Sequence, residues 1–252
     1  MRLEGKRALV TGAGSDGIGR AIARAFAREG ADVAIHYHSK PKVAAALVDE
    51  IKALGRESLA IQADLADAEV ARQMVRDAAD RLHGLDILVT AAAVIYRKPI
   101  LEITDAEWDH MAALNFRGSF ACATEAARLM RRAGKGGRII MIGSVVQQIA
   151  LKGQVAYGAG KGGVAQLARG MALELAGDGI TVNVIAPGAT LTDFNRDHLA
   201  NPEVRASREA AIPMGRLAAP EDMAETAVYL ASPGASYTTG VTIFVDGGIV
   251  LP

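Results

Sequence analysis

Tyr157 and Lys161 stand four residues apart in Tyr157-Gly158-Ala159-Gly160-Lys161. In a helix this spacing puts the phenol and the ammonium on one face. A phenol ionises near pH ~10 in water, and a nearby cation favours the phenolate. The pair can exchange a proton with a substrate oxygen near neutrality. Alone, such a pair is more often surface decoration. Ser144 supplies a second observation, because it precedes Tyr157 by thirteen residues and follows the apolar run Arg138–Ile142. Its hydroxyl can bond the same substrate oxygen and hold it in place for reaction.

A second chemical feature lies near the N-terminus. The run Val10-Thr11-Gly12-Ala13-Gly14-Ser15-Asp16-Gly17-Ile18-Gly19 joins an apolar segment to a helical one. Residues without a Cβ let backbone N–H groups approach a pyrophosphate at a helix N-terminus. Gly12-x-Gly14-x-x-Gly17 fits the general dinucleotide fingerprint, which wants an acid at the end of the second strand. Asp32 begins that strand, and its end, His36-Tyr37-His38-Ser39-Lys40, carries no acid.

Positioning these groups requires a particular set of elements. Apolar runs at Arg7–Val10, Asp32–Tyr37, Ser58–Gln62, Ile87–Thr90, Arg138–Ile142, Thr181–Ile185 and Thr242–Val245 read as buried strands. Between them, Ile18–Glu29, Val43–Leu54, Asp67–Leu82, Asp105–Arg132, Val155–Leu175 and Glu221–Ala231 read as helices. Thr104 and Glu107 form a candidate capping box where the fourth helix begins. Alternation of this kind predicts an α/β fold: a single doubly wound, Rossmann-type domain over residues 1–252, with a seven-stranded parallel sheet and helices on both faces. The irregular, partly apolar stretch 187–220 is expected to act as a substrate lid.

Composition narrows the function classes. The 28 Lys and Arg balance the 28 Asp and Glu, so nothing draws the chain toward nucleic acid or anionic membrane. No apolar run reaches the roughly 20 residues of a membrane span. The N-terminus lacks a signal-peptide pattern, and the expected location is cytoplasmic. The lone cysteine, Cys122, lies in an Ala-rich helical stretch and reads as a packing residue. Five histidines (His36, His38, His83, His110 and His198) are scattered without ligand spacing, so no metal is expected.

Taken together these motifs resemble the short-chain dehydrogenase/reductase family over almost the whole chain. Thr11-Gly12 with Gly17-Ile18-Gly19 resembles the family's TGxxxGIG motif with one extra residue, and this reading of the turn is preferred. Asp64-Leu65 resembles the adenine-contacting pair. Asn115 resembles the catalytic asparagine that supports a water leading to the lysine. Asn183 with Ala186-Pro187-Gly188 resembles NxxxPG, Thr192 falls where a carboxamide-contacting threonine sits, and Val245-Asp246-Gly247-Gly248 resembles the C-terminal VDGG. One segment departs: Thr90-Ala91-Ala92-Ala93 stands where the family usually has Asn-Asn-Ala-Gly.

The resemblance implies an NAD(P)-dependent oxidoreductase acting on a carbonyl or secondary alcohol, with Asn115, Ser144, Tyr157 and Lys161 as catalytic residues. Lys161 would lower the Tyr157 pKa and bind the nicotinamide ribose. The implied cofactor contacts are Gly12, Ser15, Asp16, Gly17, Ile18, Gly19, Tyr37, His38, Ser39, Asp64, Leu65, Ala91, Ala92, Ala93, Tyr157, Lys161, Pro187, Gly188, Thr190 and Thr192. NADP(H) is expected over NAD(H), because Tyr37 replaces the usual acid and Lys40 offers a cation, although Asp16 argues the other way. The nearest pattern is that of 3-oxoacyl-carrier-protein reductase-like enzymes, a group that includes small-ketone and sugar-alcohol dehydrogenases. Leu191, Phe194, Ile212 and Met214 are candidates to line an apolar pocket or to pack the lid. A homotetramer is expected, built partly from the long helices with their alanines Ala121, Ala123, Ala126 and Ala127. The alternatives are a catalytically silent dinucleotide-binding regulator, or an epimerase or dehydratase of the extended branch.

Overall fold

In the computed structural model, residues 1–251 are described. The chain alternates strand and helix: β1 (Arg7–Val10), α1 (Ile18–Arg28), β2 (Asp32–Tyr37), α2 (Pro41–Ala53), β3 (Ser58–Gln62), α3 (Ala68–Arg81), β4 (Ile87–Thr90) and α4 (Asp105–Met111). It continues with α5 (Ser119–Ala133), β5 (Gly137–Ile142), α6 (Val155–Leu175), β6 (Ile180–Pro187), α7 (Arg196–Leu199), α8 (Pro202–Ala210), α9 (Pro220–Ala231) and β7 (Thr242–Val245). The seven strands form one sheet in the order β3-β2-β1-β4-β5-β6-β7. All six pairings are parallel.

Side chains alternate between the faces of a strand, and here both faces are covered. Leu9, Leu88, Ile139, Met141, Val182 and Val184 pack in one layer with residues of α3, α5 and α6. Ala8, Val10, Val33, Ile35, Val89, Ile140 and Ile185 pack in the other with α1, α2 and α9. Each buried Leu or Ile contributes roughly 1.5–3 kcal/mol, so the strand ends are held firmly. Strand order reverses between β1 and β4, which opens a crevice beyond the carboxyl ends of the strands.

Two expectations are corrected. The segment Asp105–Arg132 is not one α-helix, because a seven-residue π-helical stretch, Ala112–Gly118, separates α4 from α5. Asn115 lies in that stretch, accepting from the Val94 N–H at 2.8 Å and donating to the Val94 carbonyl at 2.8 Å. Such widened turns gather at functional sites. The stretch 187–220 is less irregular than expected, since it contains α7 and α8. The capping box at Thr104 is present, with the Glu107 N–H donating to Thr104 and the Thr104 N–H donating to Glu107.

Candidate active site

Beyond the strand ends lies one cavity of about 490 Å³. Of the twenty-two different residues expected at the site, all but Asn115 line it. Asn115 stands behind the wall and acts through Val94, which does line it. Asn183, from the NxxxPG motif, is also off the cavity: it bonds the Thr238 carbonyl and the Val241 N–H, tying β6 to the turn before β7.

The glycine turn forms one end of the cavity. A Cβ on Gly12 would stand 2.8 Å from the Ala92 Cα, one on Gly14 2.2 Å from the Tyr37 Cβ, and one on Gly19 2.9 Å from the Gly12 carbonyl oxygen. These three glycines allow the turn to pack against its own protein. At Gly17 a Cβ would meet nothing closer than Thr192, at 3.6 Å. Gly17 gives α1 no side-chain cap, so the first amides of the helix are left for an anion. The residues therefore fit a dinucleotide whose pyrophosphate sits on this turn.

His36 braces the turn from beneath. It is only 2% exposed in a strand that is otherwise apolar inside. Its Nδ1 accepts from the Gly12 N–H at 3.1 Å, and its Nε2 lies 3.1 Å from the Ala63 carbonyl. Those partners require a neutral ring with the proton on Nε2. Burial pushes its pKa down to about 4. Sequence reading treated this histidine as scattered, yet His36, His38, His110 and His198 all line the cavity. The detectable signal was a polar residue within a fully buried strand, which needs hydrogen-bond partners.

Thr11 answers the departure at 90–93. Its hydroxyl accepts from the N–H groups of Ala91 at 2.9 Å and Ala92 at 3.2 Å. The end of β4 is thus held from β1, without the asparagines the resemblance led one to expect.

The adenosine end carries paired charges. Lys40 Nζ lies 3.0 Å from Asp193, whose carboxylate also accepts from the Asp16 N–H. Arg196 reaches Asp193 at 2.8 Å and Asp16 at 3.5 Å. Lys40 and Asp16, read separately from sequence, belong to one network.

At the other end, Ser144 follows β5, where Val146 N–H donates to its hydroxyl at 3.4 Å and Gln147 receives its own N–H. Tyr157 and Lys161 lie one turn apart on α6, both buried. Lys161 Nζ donates to the Ile142 carbonyl at 2.7 Å, fixing it at the end of β5. It lies 5.6 Å from the centre of the Tyr157 ring. Burial pushes the Lys161 ammonium down to about 8. Burial pushes the Tyr157 phenol up, and the charge of Arg97 pulls it the other way. Arg97 is thus a cation acting on the phenol that sequence reading missed.

Arg97 follows β4, its guanidinium 5.5 Å from the centre of the Phe194 ring. Phe194 in turn stands 6.2 Å from the Tyr157 ring. Gln154, His198 and Arg208 complete this end. Of the four apolar candidates, Phe194 alone lines the cavity. Ile212 is buried in a small cluster with Leu199 and Leu217, while Leu191 and Met214 are exposed. Cys122 is fully buried and its thiol is pushed up to about 12 by that burial, as a packing residue requires.

Comparison with known proteins agrees with this geometry. The family model described as Enoyl-(Acyl carrier protein) reductase matches residues 12–250. The chain is 41% identical to the 3-oxoacyl-[acyl-carrier-protein] reductase FabG of Staphylococcus aureus, over 98% of each chain. It is 39% identical to the L-rhamnose 1-dehydrogenase (NAD(P)(+)) of Sphingomonas sp., over 98% of this chain and 97% of that one. Among solved structures, a putative NAD(P) dependent gluconate 5-dehydrogenase from Beutenbergia cavernae, with bound NADP, superposes with a TM-score of 0.94. It is 38% identical, over 99% of this chain and 98% of that one. The chain belongs to the short-chain dehydrogenase/reductase family.

Proposed function

We propose that the protein is an NAD(P)-dependent oxidoreductase that interconverts a secondary alcohol and a carbonyl. The observation that carries this reading is the meeting of Ser144, Tyr157 and Lys161 with the glycine turn on one cavity. A bound nicotinamide supplies or accepts the hydride. Tyr157 gives or takes the proton on the substrate oxygen, and Ser144 orients that oxygen. Lys161, anchored on Ile142, holds a positive charge beside the phenol and binds the nicotinamide ribose. Asn115 is a positioning residue: it fixes Val94 in the cavity wall and supports the proton relay to Lys161. The stretch 187–220 supplies the lid. The experiment is an absorbance assay of NAD(P)H turnover over a panel of ketones and alcohols. A protein that binds the nucleotide and turns over none of them would be the silent regulator instead.

The cofactor preference we infer is NADP(H) over NAD(H). Tyr37 ends β2 where an acid would repel a 2′-phosphate, and His38, Ser39 and Lys40 follow it at the cavity edge. Asp193 competes for Lys40, so the preference is modest. Measuring kcat/KM for both nucleotides with one substrate tests it.

For assembly we infer a homotetramer, but on different residues from those expected. Ala121, Ala123, Ala126 and Ala127 are buried in their own chain's core, because the helix turns that face inward onto its sheet. The apolar groups left outside on these helices include Trp108, Phe116, Phe120, Val155 and Leu173, the last 85% exposed. They lie on α4, the π-helical stretch, α5 and α6, and large exposed apolar side chains on neighbouring elements suit a subunit interface. Among the described residues no helix is long and apolar enough to cross a membrane. We infer a cytoplasmic location, which fits a chain whose single cysteine, Cys122, is free and buried.

A further inference from the structure

We propose that the substrate of this site carries a carboxylate, held by Arg97 and His198 with the charge of Arg208 behind them. This rests on the oxidoreductase reading above and names its substrate class: a short hydroxy or oxo acid.

The acids lining the cavity are Asp16 and Asp64, one in the glycine turn and one after β3, both at the nucleotide end. The substrate end is lined by Arg97, Arg208 and His198, with no acid among its lining residues. Arg97 has no carboxylate partner among the described residues. Its guanidinium donates through Nη2 to the side-chain oxygen of Asn195, and Asn195 is itself fixed by donating to the Thr190 carbonyl at 3.1 Å. That partner is neutral, so it orients the guanidinium without cancelling its charge. Two nitrogens in this region are buried and have no partner among the described residues: Arg97 Nε and His198 Nε2. An unpaired buried donor is costly and calls for an explanation. A carboxylate entering among these uncompensated cations would give both nitrogens an acceptor once the two side chains turn toward the cavity and Nε2 carries its proton. Burial and the charges of Arg97 and Arg208 push the His198 pKa down, and an incoming negative charge would act in the opposite direction.

Distance sets the size of the acid. Arg97 lies over Phe194, and Phe194 beside Tyr157, so the anion and the reacting carbon are separated by about one aromatic side chain. A carboxylate a few bonds from the carbinol fits that span. A long acyl chain would leave both orphaned nitrogens unmet.

The test compares gluconate and lactate with their primary amides, with sorbitol as a neutral polyol and glycerol phosphate as the phosphate-bearing alternative. The acids are expected to exceed their amides in kcat/KM by about tenfold to a hundredfold, mainly through KM. Arg97→Met and Arg208→Met should each pull that ratio toward one, and Arg97→Lys should keep part of it. The ratio is internal to each variant, so a general loss of activity does not obscure it. Turnover of sorbitol or the amides at the rate of the acids overturns the inference and leaves the oxidoreductase reading standing, as does a preference for glycerol phosphate over the acids. If nothing is turned over, the melting temperature of the nucleotide-saturated protein decides. A rise with gluconate and none with its amide supports the carboxylate site, and equal shifts, or none, overturn it.

Discussion

His36 links the stability of the fold to the glycine turn, and the linkage can be measured. In the fold, burial holds its pKa down to about 4; in the unfolded chain the ordinary histidine value of about 6.5 applies. A group depressed by folding leaves stability at its full value above about pH 6.5 and removes it as pH falls, because the unfolded chain takes the proton first. The gap between the two values corresponds to about 3 kcal/mol at complete protonation. At about pH 5 the fold still keeps the ring neutral while most unfolded chains carry the charge, so about 2 kcal/mol is already lost relative to about pH 7.5. Other groups titrate in this range, so the measurement is a difference between proteins. Urea unfolding of the parent and His36→Asn is run at both pH values and at one protein concentration. Asparagine keeps an acceptor near the Gly12 N–H and cannot protonate. The parent's advantage over the variant should shrink by about 2 kcal/mol on acidification. An advantage that stays constant across this range would refute the reasoning. Only at about pH 4, where the folded ring itself takes the proton, is the acceptor of the Gly12 N–H lost, so nucleotide affinity of the parent should hold down to about pH 5 and fall below it, while the variant keeps its acceptor.

Three further predictions follow from the same site. Tyr157→Phe keeps the ring packing and loses the proton donor, so kcat/KM should fall about 10²–10⁴-fold with nucleotide Kd little changed; a parent-like kcat would remove Tyr157 from the chemistry. Asp193→Asn frees Lys40 and Arg196 from a carboxylate, so the NADP(H)/NAD(H) ratio of kcat/KM should rise about three- to tenfold; an unchanged ratio means the network does not touch the ribose phosphate. Light scattering should give a multiple of the 26.3 kDa chain, and Phe120→Arg should lower it, whereas a single-chain mass for the parent contradicts the assembly.

How much of this was legible depended on how local the cause was. All seven strands and the bounds of α6 followed from apolar runs and helical spacing, which need only neighbours in sequence. The glycine turn was legible for the same reason. The substrate end was not. Arg97 follows β4, His198 lies on α7 and Arg208 on α8, and no periodicity joins residues about a hundred positions apart. The π-helical stretch was hidden because its cause, the Asn115–Val94 pair, is a tertiary contact. The alanines of α5 misled because an apolar helix face states that something covers it, and does not state whether the cover is its own sheet or another subunit.

The replacement of the usual Asn-Asn-Ala-Gly by Thr90-Ala91-Ala92-Ala93 shows how one structural requirement can be met from a different strand. The end of β4 must be fixed, because Ala91, Ala92 and Ala93 line the cavity and Gly12 packs on Ala92. Alanine side chains cannot bond their own backbone, and the Thr90 hydroxyl is buried without a partner among the described residues. Thr11 supplies the missing acceptor. It directly follows the neighbouring strand β1, is itself 1% exposed, and takes both the Ala91 and Ala92 amides on one oxygen. Each such bond contributes about 1 kcal/mol, and leaving two part-buried amides unmet would cost at least that much. The same residue opens the glycine turn, so the nucleotide end and the β4 end are tied at a single hydroxyl. Movement of one must carry the other.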